Sequence, residues 1–169
     1  MTPEEAIISA LDYENKVRDY YAEAAAQTDD PKGSEVFGAL ADEEQWHVSF
    51  LEERLRVWQE EGIIDETVIE STLPTREWIA RGKAKMRKIS LDRDYSSEIR
   101  MLKDALKLEE EVSDHYKHLV GSMQGDAKKM FKRFLEIEDA HTAIVQAEID
   151  ALEQNGFWFD LHEFNLEAE

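Results

Sequence analysis

The chain has 169 residues, 39 of them acidic against 20 basic, and no cysteine. A formal charge of -19 repels phosphate backbones and anionic lipid surfaces, which argues against nucleic acid and membrane partners and favours cations. Without cysteine there are no disulfides, no thiolate metal sites and no cysteine catalysis.

The length suits one domain over residues 1–169. The start MTPEEAIISAL lacks a basic leader, and no apolar run approaches the roughly 18 residues of a membrane span, so a soluble cytoplasmic protein is expected. Only seven Gly and three Pro punctuate the chain, which reads as nearly all α.

The first helix is expected over about 3–27. Thr2 serves as its N-cap, Pro3 takes the first helical position and Glu5 closes a capping box. Its apolar stripe runs Ile7, Leu11, Val17, Tyr21 and is interrupted by Glu14. The second helix is expected over about 31–61, stopping at Gly62, with Phe37, Leu40, Leu51 and Leu55 on one face. Glu44 and His47 occupy the missing rungs of that face, whereas Asp42 and Glu43 are assigned to the solvated side. Residues 62–95 keep no single period and read as a long crossover, in which TREWIARGKAKMRKI forms a helix interrupted by Gly82.

A third long helix is expected over about 96–120, with Leu102, Leu106, Val112 and Tyr116 in its stripe and Glu109 in the gap. The fourth, over about 126–155, shows Phe131, Phe134, Val145 and Ile149 with Glu138 and His141 between them. The remaining residues, 156–169, form an aromatic tail, GFWFDLHEF. It is too apolar for a free end and is expected to cap the bundle or the crossover, with a homodimer contact as the alternative.

The second half repeats the first. ALDYENKVRDYY from residue 10 aligns without gaps to ALKLEEEVSDHY from residue 105, and FGALADEEQWH from residue 37 aligns to FKRFLEIEDAH from residue 131. Each hairpin thus supplies one Glu and one Glu-x-x-His pair. Residues three apart share a helix face, so each pair can reach a common point. In each hairpin the single Glu and the pair lie at matching distances from the turn, roughly 22 Å at ~1.5 Å per residue.

Four Glu and two His therefore converge at mid-height. One Glu-x-x-His is an expected accident in a Glu-rich chain with five His; two, aligned within a repeat and each level with a buried Glu, are not. Four carboxylates in one dry place cost several kcal/mol each if ionised and unpaired. Two divalent cations neutralise them, and oxygen and imidazole donors without sulfur suit iron, manganese or a mixed pair.

Tyr21 and Tyr116 follow Glu14 and Glu109 by seven residues on the same faces, which makes them core aromatics or hydrogen-bond partners of those carboxylates. His115 and His118 lie off the Glu109 face and read as solvent residues, and His162 in the tail has no assigned role.

These residues resemble the ferritin-like superfamily, and within it the diiron domain of rubrerythrins with the ligand set of bacterioferritins. The resemblance covers about residues 3–61 and 96–155 and implies a four-helix bundle with a long crossover between its second and third helices. It also implies two iron ions, with Glu14 and His47 serving one, Glu109 and His141 the other, and Glu44 and Glu138 bridging. The implied activity is that of an oxidoreductase of ferroxidase or peroxidase type acting on O2 or H2O2. Rubrerythrins typically add a four-Cys rubredoxin-like domain, absent here, so a separate electron donor is implied. They also carry a further Glu three residues after the third-helix ligand, where this chain has Val112. The alternative is an iron-binding or iron-storage protein without turnover, or a helical module with a vestigial site.

Overall fold

Side chains that take up the free backbone donors of a first turn decide where two of the helices begin. Thr2 accepts from Glu5 N, and the Glu5 carboxylate accepts from Thr2 N at 2.8 Å, opening α1 at Pro3–Gln27. Asp30 accepts from Gly33 N and opens α2 at Pro31–Glu61. The computed structural model, which describes residues 1–65, 67–85 and 93–159, continues with α3 (Arg76–Lys85), α4 (Ser96–Ser122) and α5 (Gly125–Asn155). Gly62 and Gly156 end α2 and α5 in the left-handed conformation, at φ 70° and 74°, where a side chain is disfavoured.

The architecture is all-α. Short turns fold α1 on α2 and α4 on α5, and the two hairpins meet through α1 and α4. The core between them holds both copies of the repeat: Phe37 packs on Tyr21, while Phe131 and Phe134 pack on Tyr116, the last pair with stacked rings 5.1 Å apart. No helix among the described residues is long and apolar enough to cross a membrane.

The crossover is held by polar contacts more than by periodicity. Arg54 pairs with Asp65, Trp46 Nε1 donates to Glu70 O at 3.2 Å, and Arg133 Nε donates to Ile69 O at 3.1 Å. Ile69 and Ile79 are buried beneath it, and α3 lies on α5. Contrary to the expectation of an interruption, α3 runs through Gly82 without a break to Lys85. A helical Gly costs only about 1 kcal/mol relative to Ala, and the docking of Ile79 offsets that. The rest of the expected stretch, from residue 86, lies outside the described residues.

The start of the tail closes one end of the bundle. Trp158 and Phe159 are buried; Trp158 Nε1 donates to Asp30 Oδ2, Arg93 pairs with Asp30 Oδ1 at 3.0 Å, and Phe159 N donates to Glu148 Oε2 at 2.8 Å. Asp30 thus caps α2 and anchors the tail at once.

This close fit has a measurable consequence at Gly33. A Cβ added there would stand 2.8 Å from Trp158 Cζ2, closer than real contacts allow, whereas nothing lies within 4 Å of one added at Gly38. Replacing a helical Gly by Ala gains about 1 kcal/mol of propensity, and overpacking costs about 1–3 kcal/mol. Urea unfolding is expected to show Gly38→Ala stabilised and Gly33→Ala destabilised, although both exchanges are the same on paper.

Candidate metal centre

Six polar side chains enter the middle of the bundle, one or two from each long helix. Glu14 comes from α1, Glu44 and His47 from α2, Glu109 from α4, and Glu138 and His141 from α5, and all six are fully buried. Glu44, His47, Glu138 and His141 each offer a ligand atom within 4.8 Å of the others, a group able to hold a metal ion.

The two hairpins interlock at this point. Glu44 turns one oxygen to each histidine, 3.1 Å from His47 Nδ1 and 2.9 Å from His141 Nδ1. Glu138 does the same at 3.3 and 3.7 Å. The imidazoles lie parallel with centroids 5.2 Å apart. Glu14 adds an oxygen 3.1 Å from His47 Nδ1, and its other oxygen accepts from Tyr116 OH. Glu109 accepts from Tyr21 OH. Each tyrosine therefore serves the carboxylate of the opposite hairpin.

Whether this donor set fits metal ions can be judged from what the protein leaves unpaired. Both oxygens of Glu44 and of Glu138, Oε2 of Glu109, Nε2 of His47 and both ring nitrogens of His141 are buried without a hydrogen-bond partner. Each such group costs about 1–3 kcal/mol, and the cluster they form is one able to hold a metal ion. The short His141–Glu44 approach lacks hydrogen-bond geometry, as two groups aimed at a shared third atom would. The donors are oxygen and imidazole nitrogen, which suits iron or manganese.

Electrostatics among the six side chains follow from burial. Burial pushes Glu44 up to about 8, against the nearby charge on His47, and pushes Glu138 up to about 7. Glu109 is driven well above the carboxylate range by burial and then by the charge of Glu44. In Glu14 burial also pushes upward, but the His47 charge and its hydrogen bonds outweigh it and hold the group below its ordinary value. Burial works against a charged His47, yet Glu44 and Glu14 raise it well above its usual range. Burial lifts both phenols well above the tyrosine range, reinforced by Glu109 at Tyr21 and by Glu14 at Tyr116.

Two expectations need correction. Glu43 is not on the solvated face: it is buried, accepts from Thr72 N at 3.2 Å and Thr72 Oγ1 at 2.5 Å, and lies 3.7 Å from His47 Nε2. Burial opposes its charge, but hydrogen bonds to it hold the carboxyl down at about 2. The signal available in the sequence was the four-residue spacing to His47, which places both on one face; the crossover segment that buries Glu43 has no period to read. His115 is likewise not a solvent residue. It is half-buried, stacked on Tyr13 at 4.3 Å and 3.1 Å from Ser9 Oγ, on the seam of α1 and α4. Asp42 and His118 are exposed, and His162 lies outside the described residues. Val112 is buried, as is its repeat counterpart Val17, so neither hairpin brings an extra carboxylate there.

The sign of the pH dependence follows. Glu44 and Glu138 hold protons in the fold that an unfolded carboxyl releases at 4.5, so their contribution is present at low pH and lost as pH rises through about 7 to about 8. Glu109 and His47, also raised, act in the same sense. The opposite contribution of Glu43 is lost only between 4.5 and about 2, below that window. The melting temperature of the chelator-treated protein is expected to fall between pH 4.5 and about 8, and Glu44→Gln to flatten the fall. A melting temperature that rises over this interval would contradict the assignment.

A family model described as Rubrerythrin matches residues 5–149. No curated protein and no solved structure matches the chain significantly. The family match reaches into all four long helices of the bundle and includes every residue of the buried cluster, and the chain belongs to the rubrerythrin family.

Proposed function

We propose that the chain is a diiron-carboxylate oxidoreductase of ferroxidase or peroxidase type that reacts with O2 or H2O2 and draws its electrons from a separate donor. The observation that carries this reading is the convergence of four buried carboxylates and two imidazoles, with both oxygens of Glu44 and Glu138, Oε2 of Glu109 and Nδ1 of His141 lacking a hydrogen-bond partner. Glu14 and His47 would hold one ion, Glu109 and His141 the other, and Glu44 and Glu138 both. The two-way approach of Glu44 and of Glu138 to the histidines supports the bridging role.

An iron pair supplies, when bound, one electron from each ion to the oxidant. The protein's part is to exclude water and to manage charge. Phe134 flanks the site, edge-on to His47 and stacked on Tyr116, keeping that side apolar. The two tyrosines hold the outer oxygens of Glu14 and Glu109, leaving the remaining oxygens for ions. Protons carried by Glu44, Glu109 and Glu138 in the metal-free state leave as cations enter, so the buried charge stays near balance throughout.

The test is anaerobic loading with Fe(II) followed by O2 or H2O2 while absorbance is recorded. Uptake of about two ions per chain and oxidation faster than that of free Fe(II) are expected. A ratio far above two in a large assembly would instead favour storage. Glu44→Ala and Glu138→Ala are expected to lower metal content sharply, while Tyr21→Phe and Tyr116→Phe keep the fold and weaken uptake roughly tenfold. Unchanged metal content in both alanine variants would identify the site as vestigial.

A further inference from the structure

The two halves of the centre correspond ligand for ligand, but they differ behind the histidines. Position 43 is Glu, and its repeat counterpart, position 137, is Ile. The Glu43 carboxylate faces His47 Nε2 at 3.7 Å, while Nδ1 of the same ring faces Glu14, Glu44 and Glu138. Thr72 fixes that carboxylate from the crossover through its backbone N–H and its hydroxyl. Neither Nε2 has a hydrogen-bond partner, but that of His47 has the Glu43 carboxylate 3.7 Å away, whereas Ile137 has no group to offer His141.

We propose that Glu43 is a positioning residue that keeps the Nε2 proton of His47 directed outward and Nδ1 free for an ion, links this histidine to the crossover at Thr72, and makes the ion position of the first hairpin the tighter of the two. The inference rests on the two-ion reading above. At 3.7 Å the contact is electrostatic rather than a full hydrogen bond. A carboxylate facing one ring nitrogen nevertheless selects the tautomer and raises the basicity of the other nitrogen, which strengthens it as a ligand. His141 has no such support, so its position should be looser even though its inward ligands match.

The experiment titrates the full-length, metal-free chain with cobalt(II) by calorimetry. The parent is expected to take two ions in unequal steps. In Glu43→Gln the tighter step should weaken roughly 10- to 100-fold, leaving the other in place. A parent that takes up fewer than two ions overturns the two-ion reading itself. Two equal steps in the parent, or a Glu43→Gln variant with both steps unchanged or both weakened alike, overturn the role of Glu43 and leave the two-ion reading standing.

A second readout separates positioning from folding. In the zinc-loaded protein, proton NMR should show the imidazole N–H signal of His47 displaced by Glu43→Gln and that of His141 unmoved; an undisplaced His47 signal overturns the proposal. If circular dichroism shows that Glu43→Gln does not fold, Thr72→Val decides, since it keeps the carboxylate and removes one of its donors. The same cobalt step must then weaken several-fold, and an unchanged step overturns the inference.

Discussion

Four carboxylates brought into a dry helical interior repel one another, and each loses the hydration that would stabilise its charge. That single burden shapes the surrounding structure. The backbone can bear it because helices satisfy their own hydrogen bonds and present only side chains to the centre. The side chains bear it through protons kept on Glu44, Glu109 and Glu138, a charged His47 beside Glu14, and two phenols donating to the outer oxygens. Under the proposed reading, a native state that stores protons in this way is arranged to exchange them for metal, because the groups that hold them are the proposed ligands.

The polar contacts of the periphery place the bundle's connections around that centre. The crossover would be a poorly specified strap if its sequence alone had to hold it, but Arg54, Trp46 and Arg133 fasten it from two different helices. At the far end, Asp30 caps α2 and accepts from the indole of Trp158, so the α1–α2 turn and the start of the tail share one anchor. These ties leave the long helices free to be governed by the repeat.

The parts legible in the sequence were those written in a period. Phe37 and Leu40 on one side and Phe131 and Phe134 on the other declared buried faces, and the polar interruptions in those faces singled out Glu44, His47, Glu138 and His141 as interior. The internal repeat then separated these pairs from accident. What could not be read depended on residues distant in sequence and on segments without a period. Glu43 looked solvated because the segment that covers it, at Thr72, lies 29 residues away. His115 looked exposed because its shelter, Tyr13 and Ser9, belongs to another helix. Gly82 looked like a break because the support of Ile79 comes from packing on the bundle rather than from local propensity.

The crossed tyrosines carry a mechanical consequence. Tyr21 of α1 reaches Glu109 of α4, and Tyr116 of α4 reaches Glu14 of α1, so the two bonds run in opposite senses across one seam. If α1 slid along α4 by a single turn, about 5.4 Å, both bonds would break together. The pair acts as a two-pin key: it permits the hairpins to separate or to seat fully but not to creep, and it fixes the depth at which opposing carboxylates face each other.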